Sequence, residues 1–101
     1  MLDWSSILGF QWDEGNDSKS TIKHHIGCRE AESVFVATDL RVLEDIKHSS
    51  RGEQRYHAYG TSSLERPLSV TFTIRNHLIR VVSARPMNQR ERKIYGYQKK
   101  Q

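Results

Sequence analysis

Between residues 69 and 85, apolar and polar side chains alternate on both sides of the dipeptide Asn76-His77. Period-two alternation sends successive side chains to opposite faces of a strand, so it predicts a hairpin over 69–75 and 78–85. A two-residue loop with Asn first suits a type I′ turn. That loop pairs Arg75 with Leu78, Ile74 with Ile79, Thr73 with Arg80 and Phe72 with Val81. Val70, Phe72, Ile74, Ile79 and Val81 then share one apolar face. Thr71, Thr73, Arg80 and Val82 share the other, which is too polar to be fully covered. Arg80 is therefore expected on an open sheet face.

The remaining pattern surrounds that hairpin. Phe10-Gln11-Trp12 alternates and suits a short first strand. Asp13 stands where a helix N-cap would, ahead of an acidic turn with Glu14 and Asp17, so a helix is expected over 14–25, ended by Gly27. A second helix is expected over 29–36, where Ala31, Val34 and Phe35 form an i, i+3, i+4 stripe. Residues 40–43 and 55–59 read as further strands, with Arg55, His57 and Tyr59 on one face and Tyr56 and Ala58 on the other. Pro86 is expected to open a last helix. The fold class is α+β: two N-terminal helices packed on a three- to four-stranded antiparallel sheet with a C-terminal helix.

With 101 residues, a single domain is expected over 1–101, with a basic tail at 96–101. No apolar run approaches the ~20 residues of a membrane span, and Met1 to Phe10 contains no Lys or Arg, which disfavours a secretory signal. The single cysteine, Cys28, excludes an internal disulfide. A cytoplasmic location and no membrane partner fit these features. The net charge of +4 is uneven. Residues 1–74 hold eight Lys or Arg against eleven Asp or Glu, whereas residues 75–101 hold eight against Glu91 alone. That asymmetry favours a polyanion, most often nucleic acid, although a solvated basic surface explains the charge equally well.

Individual residues carry two readings each. Arg85, at a strand end just before a helix, is a candidate phosphate donor, with Ser83 beside it; the plain reading is an ion pair with Glu91. Lys23-His24 offers a cation and a proton-transfer group on a polar helix, or simply a polar face. Glu53 and Arg55 offer a base and a phosphate clamp, or a surface salt bridge. His24 and Cys28 lie four apart but Gly27 intervenes, so no metal and no cofactor are expected.

Taken together, the chain resembles the BrnT-like toxins of bacterial type II toxin–antitoxin modules. The matching stretches begin with residues 10–16, Lys19 and Lys23-His24. Glu30-Ala31-Glu32, Val34-Phe35 and Asp45-Ile46-Lys47-His48-Ser49 follow, with Glu53 and Arg55. Phe72-Thr73-Ile74-Arg75, the run 79–85, Met87-Asn88, Glu91-Arg92-Lys93 and Tyr95 complete the match, over about residues 10–95. The resemblance implies a RelE-like ribonuclease fold and an endoribonuclease that inhibits translation and growth. It also implies a cognate, BrnA-like antitoxin with a DNA-binding part, so that operator DNA is met only through the complex.

On that basis the ribose 2′-OH is expected to attack the adjacent phosphorus without a metal, with Arg80, Arg85 and Lys23 stabilising the phosphorane. Glu53 or His24 would take the proton, and the other, or Tyr95, would protonate the leaving oxygen. Lys19, Arg55, Arg75, Ser83, Arg92 and Tyr95 are expected to bind the RNA around them. The competing reading is a non-catalytic RNA- or protein-binding module; a DNA-binding repressor is less favoured, since no helix-turn-helix precedes the last helix.

Overall fold

A computed structural model of the chain describes residues 3–12, 25–50 and 52–95. Its centre is a five-stranded sheet of order β1-β5-β4-β3-β2, comprising β1 (Gly9–Gln11), β2 (Arg41–Glu44), β3 (Arg55–Thr61), β4 (Pro67–Arg75) and β5 (Leu78–Pro86). Strands β2 to β5 form an antiparallel meander, and β1 pairs with β5 in parallel. Among the described residues two short α-helices accompany the sheet, α1 (Cys28–Ser33) and α2 (Gln89–Tyr95). Among the described residues no helix is long and apolar enough to cross a membrane.

This corrects the expected architecture of two N-terminal helices on a three- to four-stranded antiparallel sheet, and with it the RelE-like layout. The sheet is mixed because Phe10 takes a core position beside Ile79, which draws β1 into register with β5. The helix expected over 14–25 lies outside the described residues, except for His25. Its φ of 57° is left-handed rather than helical. The helix expected over 29–36 divides into α1 and a 3-10 turn, Val34–Val36. The last helix starts at Gln89 because Pro86 still belongs to β5.

One face of the sheet forms the core. Ala58, Leu68, Val70, Phe72, Ile79, Val81 and Ala84 are buried there beneath Ile26, Ala31 and Val34. Phe35 meets Phe72 edge-on at 5.0 Å and Phe10 at 5.4 Å, while Tyr56 stacks on Phe72 at 5.3 Å. Such offset and edge-on pairings suit the ring quadrupoles and add to the area term. Gly60 permits the close approach of the turn after α1: a Cβ there would stand 3.2 Å from Val34 Cγ1.

A polar tie fixes α1 to the β3–β4 loop. Glu30 is only 7% exposed, and its Oε2 accepts from Arg66 Nε at 2.8 Å and Ser62 Oγ at 2.7 Å. Arg66 Nη2 also pairs with Glu30 Oε1 and donates to His25 O. Hydrogen bonding to Arg66 holds the Glu30 carboxyl below its usual range, against the opposing effect of burial. A carboxyl lowered on folding contributes stability that is fully present above its unfolded value, near 4.5, and is lost as pH falls through the folded value. Arg66→Met should therefore cost about 2 kcal/mol or more at pH 7, by leaving a buried carboxylate underpaired. The loss should shrink towards pH 3, as Glu30 takes up its proton and the charge left underpaired is removed. Urea unfolding at both pH values measures it, and equal losses at both would count against the ion pair.

Candidate functional site

The other sheet face is polar, and the strand registers define it. Arg80 of β5 lies opposite Thr73 of β4, which lies opposite Arg55 of β3. The next row is Ser83, Thr71, His57 and Leu43, and the third is Arg85, Ser69, Tyr59 and Arg41. The β4 positions are all small hydroxyl residues. Ser69 and Thr73 are buried beneath their neighbours, so β4 forms the floor of a trough. Arg80, Ser83 and Arg85 wall it on one side, and Arg55, His57 and Tyr59 on the other.

A one-residue irregularity makes this wall possible. The first four hairpin pairs are those expected, and φ is 55° at Asn76 and 65° at His77, as a type I′ turn requires. Register then shifts, because Phe72 pairs with Val81 but Thr71 pairs with Ser83. Val82 is the extra residue of a β-bulge. Strict alternation would send Ser83 and Arg85 inward with Ile79 and Val81. The bulge reverses parity, buries Ala84 and brings Arg85 to the same face as Arg80.

At the Arg85 end, α2 lies against the trough. Arg85 Nη1 and Nη2 donate to Glu91 Oε1 and Oε2, both at 2.8 Å, a fork-to-fork ion pair. Glu91 also closes a reciprocal cap with Asn88: Glu91 N donates to Asn88 Oδ1 at 2.8 Å, and Asn88 N to Glu91 Oε1 at 3.0 Å. The Arg85 bonds hold the Glu91 carboxyl below its usual range, and Glu91 raises the Arg85 guanidinium further. Tyr95 stacks on Tyr59 at 4.2 Å, with 16° between the rings.

At the opposite end, Glu53 sits in the loop before β3 and accepts from Arg75 Nη2 at 2.6 Å. Its ion-pair partner is thus Arg75 of β4 rather than Arg55. Arg92 is exposed on α2. Lys19, Lys23 and His24 lie outside the described residues.

Three residues not singled out as site candidates gather at the β2 rim. Asp45 continues the Arg80, Thr73 and Arg55 row, its N–H donating to Arg55 O at 2.7 Å. One oxygen, Asp45 Oδ2, receives His57 Nε2 at 2.8 Å and His48 Nδ1 at 2.9 Å. His57 Nδ1 lies 2.9 Å from Thr71 Oγ1. His48 N donates to Asp45 Oδ1 at 3.1 Å, closing a tight turn. Desolvation pushes the Asp45 carboxyl up, but the hydrogen bonds from His48 and His57 outweigh it and hold it at about 2. The sequence signals were present: Asp45 and His48 are three apart in a polar loop, and His57 alternates with Arg55.

Comparison with known proteins gives these residues a context. The family model described as "Ribonuclease toxin, BrnT, of type II toxin-antitoxin system" matches residues 12–91. Among solved structures, the crystal structure of the Brucella abortus ribonuclease toxin BrnT is similar, with a TM-score of 0.62 and 20% identity. The match covers 81% of this chain and 99% of that one, and at that identity it bears on fold alone. A comparison with curated proteins returned no match.

Proposed function

Because the chain belongs to the BrnT family of ribonuclease toxins of type II toxin–antitoxin systems, we propose that the trough along β4 is where it cuts RNA. An RNA substrate and a cognate antitoxin come with that family. The finer reading is a metal-independent endoribonuclease that inhibits translation and growth. The 2′-oxygen forms a bond to phosphorus as the P–O5′ bond breaks, leaving a 2′,3′-cyclic phosphate and a 5′-OH. Negative charge grows on the phosphorane oxygens, and fixed guanidinium groups lower that barrier without needing to reorganise.

The observation that carries this reading is the bulge at Val82, which gives Arg80 and Arg85 a common polar face. Arg55 faces them across a floor of small side chains. Lys19, Lys23, Arg75 and Arg92 extend the cationic surface in this proposal, and His24 and Glu53 stay in it as further polar groups. A BrnA-like antitoxin would cover the trough and carry the operator-binding part. One observation favours the non-catalytic binding module instead: both Arg85 terminal nitrogens are engaged by Glu91.

Purified protein incubated with RNA in EDTA separates the two. The nuclease reading expects new 5′-OH ends paired with cyclic phosphates, at an undiminished rate. Cleavage abolished by EDTA refutes metal independence, and a retarded but uncut RNA supports the binding module. In cells, growth arrest on induction should be relieved by co-expressing the antitoxin.

A further inference from the structure

The two imidazoles on Asp45 are not equivalent. Both nitrogens of His57 are engaged, Nε2 with Asp45 Oδ2 and Nδ1 with Thr71 Oγ1. The consistent proton assignment has Nε2–H donating to the carboxylate and the Thr71 hydroxyl donating to Nδ1. His57 then has no lone pair left for a substrate. His48 uses only Nδ1, which donates to the same carboxylate oxygen. Its Nε2 has no hydrogen-bond partner among the described residues, and its side chain is 60% exposed against 27% for His57. A carboxylate that fixes Nδ1–H on an imidazole leaves Nε2 as the basic nitrogen, turned away from the carboxylate. The charged groups acting on this pair are Asp45 in its own turn, His57 on β3 and, through His57, Glu91 of α2.

We propose that His48, oriented by Asp45 at the β2 rim of the trough, is the catalytic residue that takes the 2′-OH proton. This rests on the ribonuclease reading of the trough. His48 Nε2 accepts the proton as the 2′-oxygen bonds to phosphorus. The electron pair of the P–O5′ bond goes to O5′, which takes a proton from water. His48 then returns its own proton to water, so none is consumed overall. Glu53 does not have this freedom, because its carboxylate is paired with Arg75. The backbone ties fix the base in place: Ser49 Oγ donates to Asp45 O at 2.7 Å, and Arg55 N donates to Ser49 Oγ at 2.9 Å. The turn is thereby stitched to β3, the strand that walls the trough.

The test uses the full chain and a short RNA, with His48→Asn and His48→Gly. Asn places an amide N–H where Nδ1–H stands, so it keeps the Asp45 turn and removes only the base. Both variants should bind RNA as tightly as the unmodified protein and cleave about 10²-fold more slowly or worse. Added imidazole should restore part of the rate to His48→Gly, an outcome that a purely structural role for His48 does not produce. Cleavage by His48→Asn within a few-fold of the unmodified rate overturns the assignment of His48 while leaving the nuclease reading intact. An unmodified protein that binds RNA and never cuts it overturns both.

Discussion

Arg85→Ala should leave a protein that folds, binds RNA weakly and no longer arrests growth, with cleavage reduced about 10²–10³-fold. The magnitude follows from the charge that accumulates on phosphorus, which a single preorganised donor lowers by several kcal/mol. Arg85 is suited to that task because pairing with Ser69 of β4 holds its backbone while its side chain, 40% exposed, lies on the same face as Arg80. Its fork is currently filled by the Glu91 carboxylate, and a phosphate presents two oxygens in the same way. RNA must therefore exchange for Glu91. Glu91→Gln, which removes the competing charge, should raise RNA affinity and the rate at limiting RNA several-fold. The two variants thus move in opposite directions. A double variant, Arg85→Gln with Glu91→Gln, keeps an amide-to-amide bond under α2 and separates lost charge from lost packing. It should be folded and inactive. Single-turnover cleavage and a growth assay read all three, and full toxicity of Arg85→Ala would refute the role given to the guanidinium.

Local patterns in this chain were legible where one element determines its own faces. Asn76-His77 and the alternation around it fix the first four hairpin pairs and place Arg80 opposite Thr73 on the polar face. The stripe of Ala31, Val34 and Phe35 locates α1 and its following turn. What escaped depends on partners distant in sequence. The parallel pairing of β1 with β5 joins residues about seventy positions apart, and nothing in Phe10-Gln11-Trp12 names its neighbour. Glu30 looks like an ordinary helix-surface carboxylate until Arg66, thirty-six residues away, is placed on it. Glu53 and Arg55 suggested a shared face, but Glu53 precedes β3 and turns to Arg75. Asp45, His48 and His57 form a group only because β2 and β3 are paired. For Arg85, the plain reading of an ion pair with Glu91 is realised, and the bulge still sets the guanidinium on the same face as Arg80.

The bulge at Val82 makes the sharpest demand on the sequence, and two adjacent positions expose it. Strict alternation puts Ala84 outside with Arg80, and Ser83 inside with Ile79 and Val81. The observed register does the opposite, with Ala84 opposite Val70 in the core and Ser83 opposite Thr71 in the trough. Ala84→Asp should bury an unpaired charge against Val70 and cost on the order of 3–5 kcal/mol. Since domains of this size hold roughly 5–15 kcal/mol in total, most of the protein should be unfolded or close to it. Ser83→Asp should fold with a urea midpoint near that of the unmodified chain, because its side chain is half-exposed on the polar face. It should nevertheless fail to bind RNA, as a carboxylate between Arg80 and Arg85 repels phosphate and competes for both guanidiniums. Far-UV circular dichroism with urea titration and an RNA-binding measurement decide the matter together. If Ala84→Asp is stable and Ser83→Asp unfolds, β5 is regular, Arg85 points inward, and the common face on which the cleavage proposal rests does not exist.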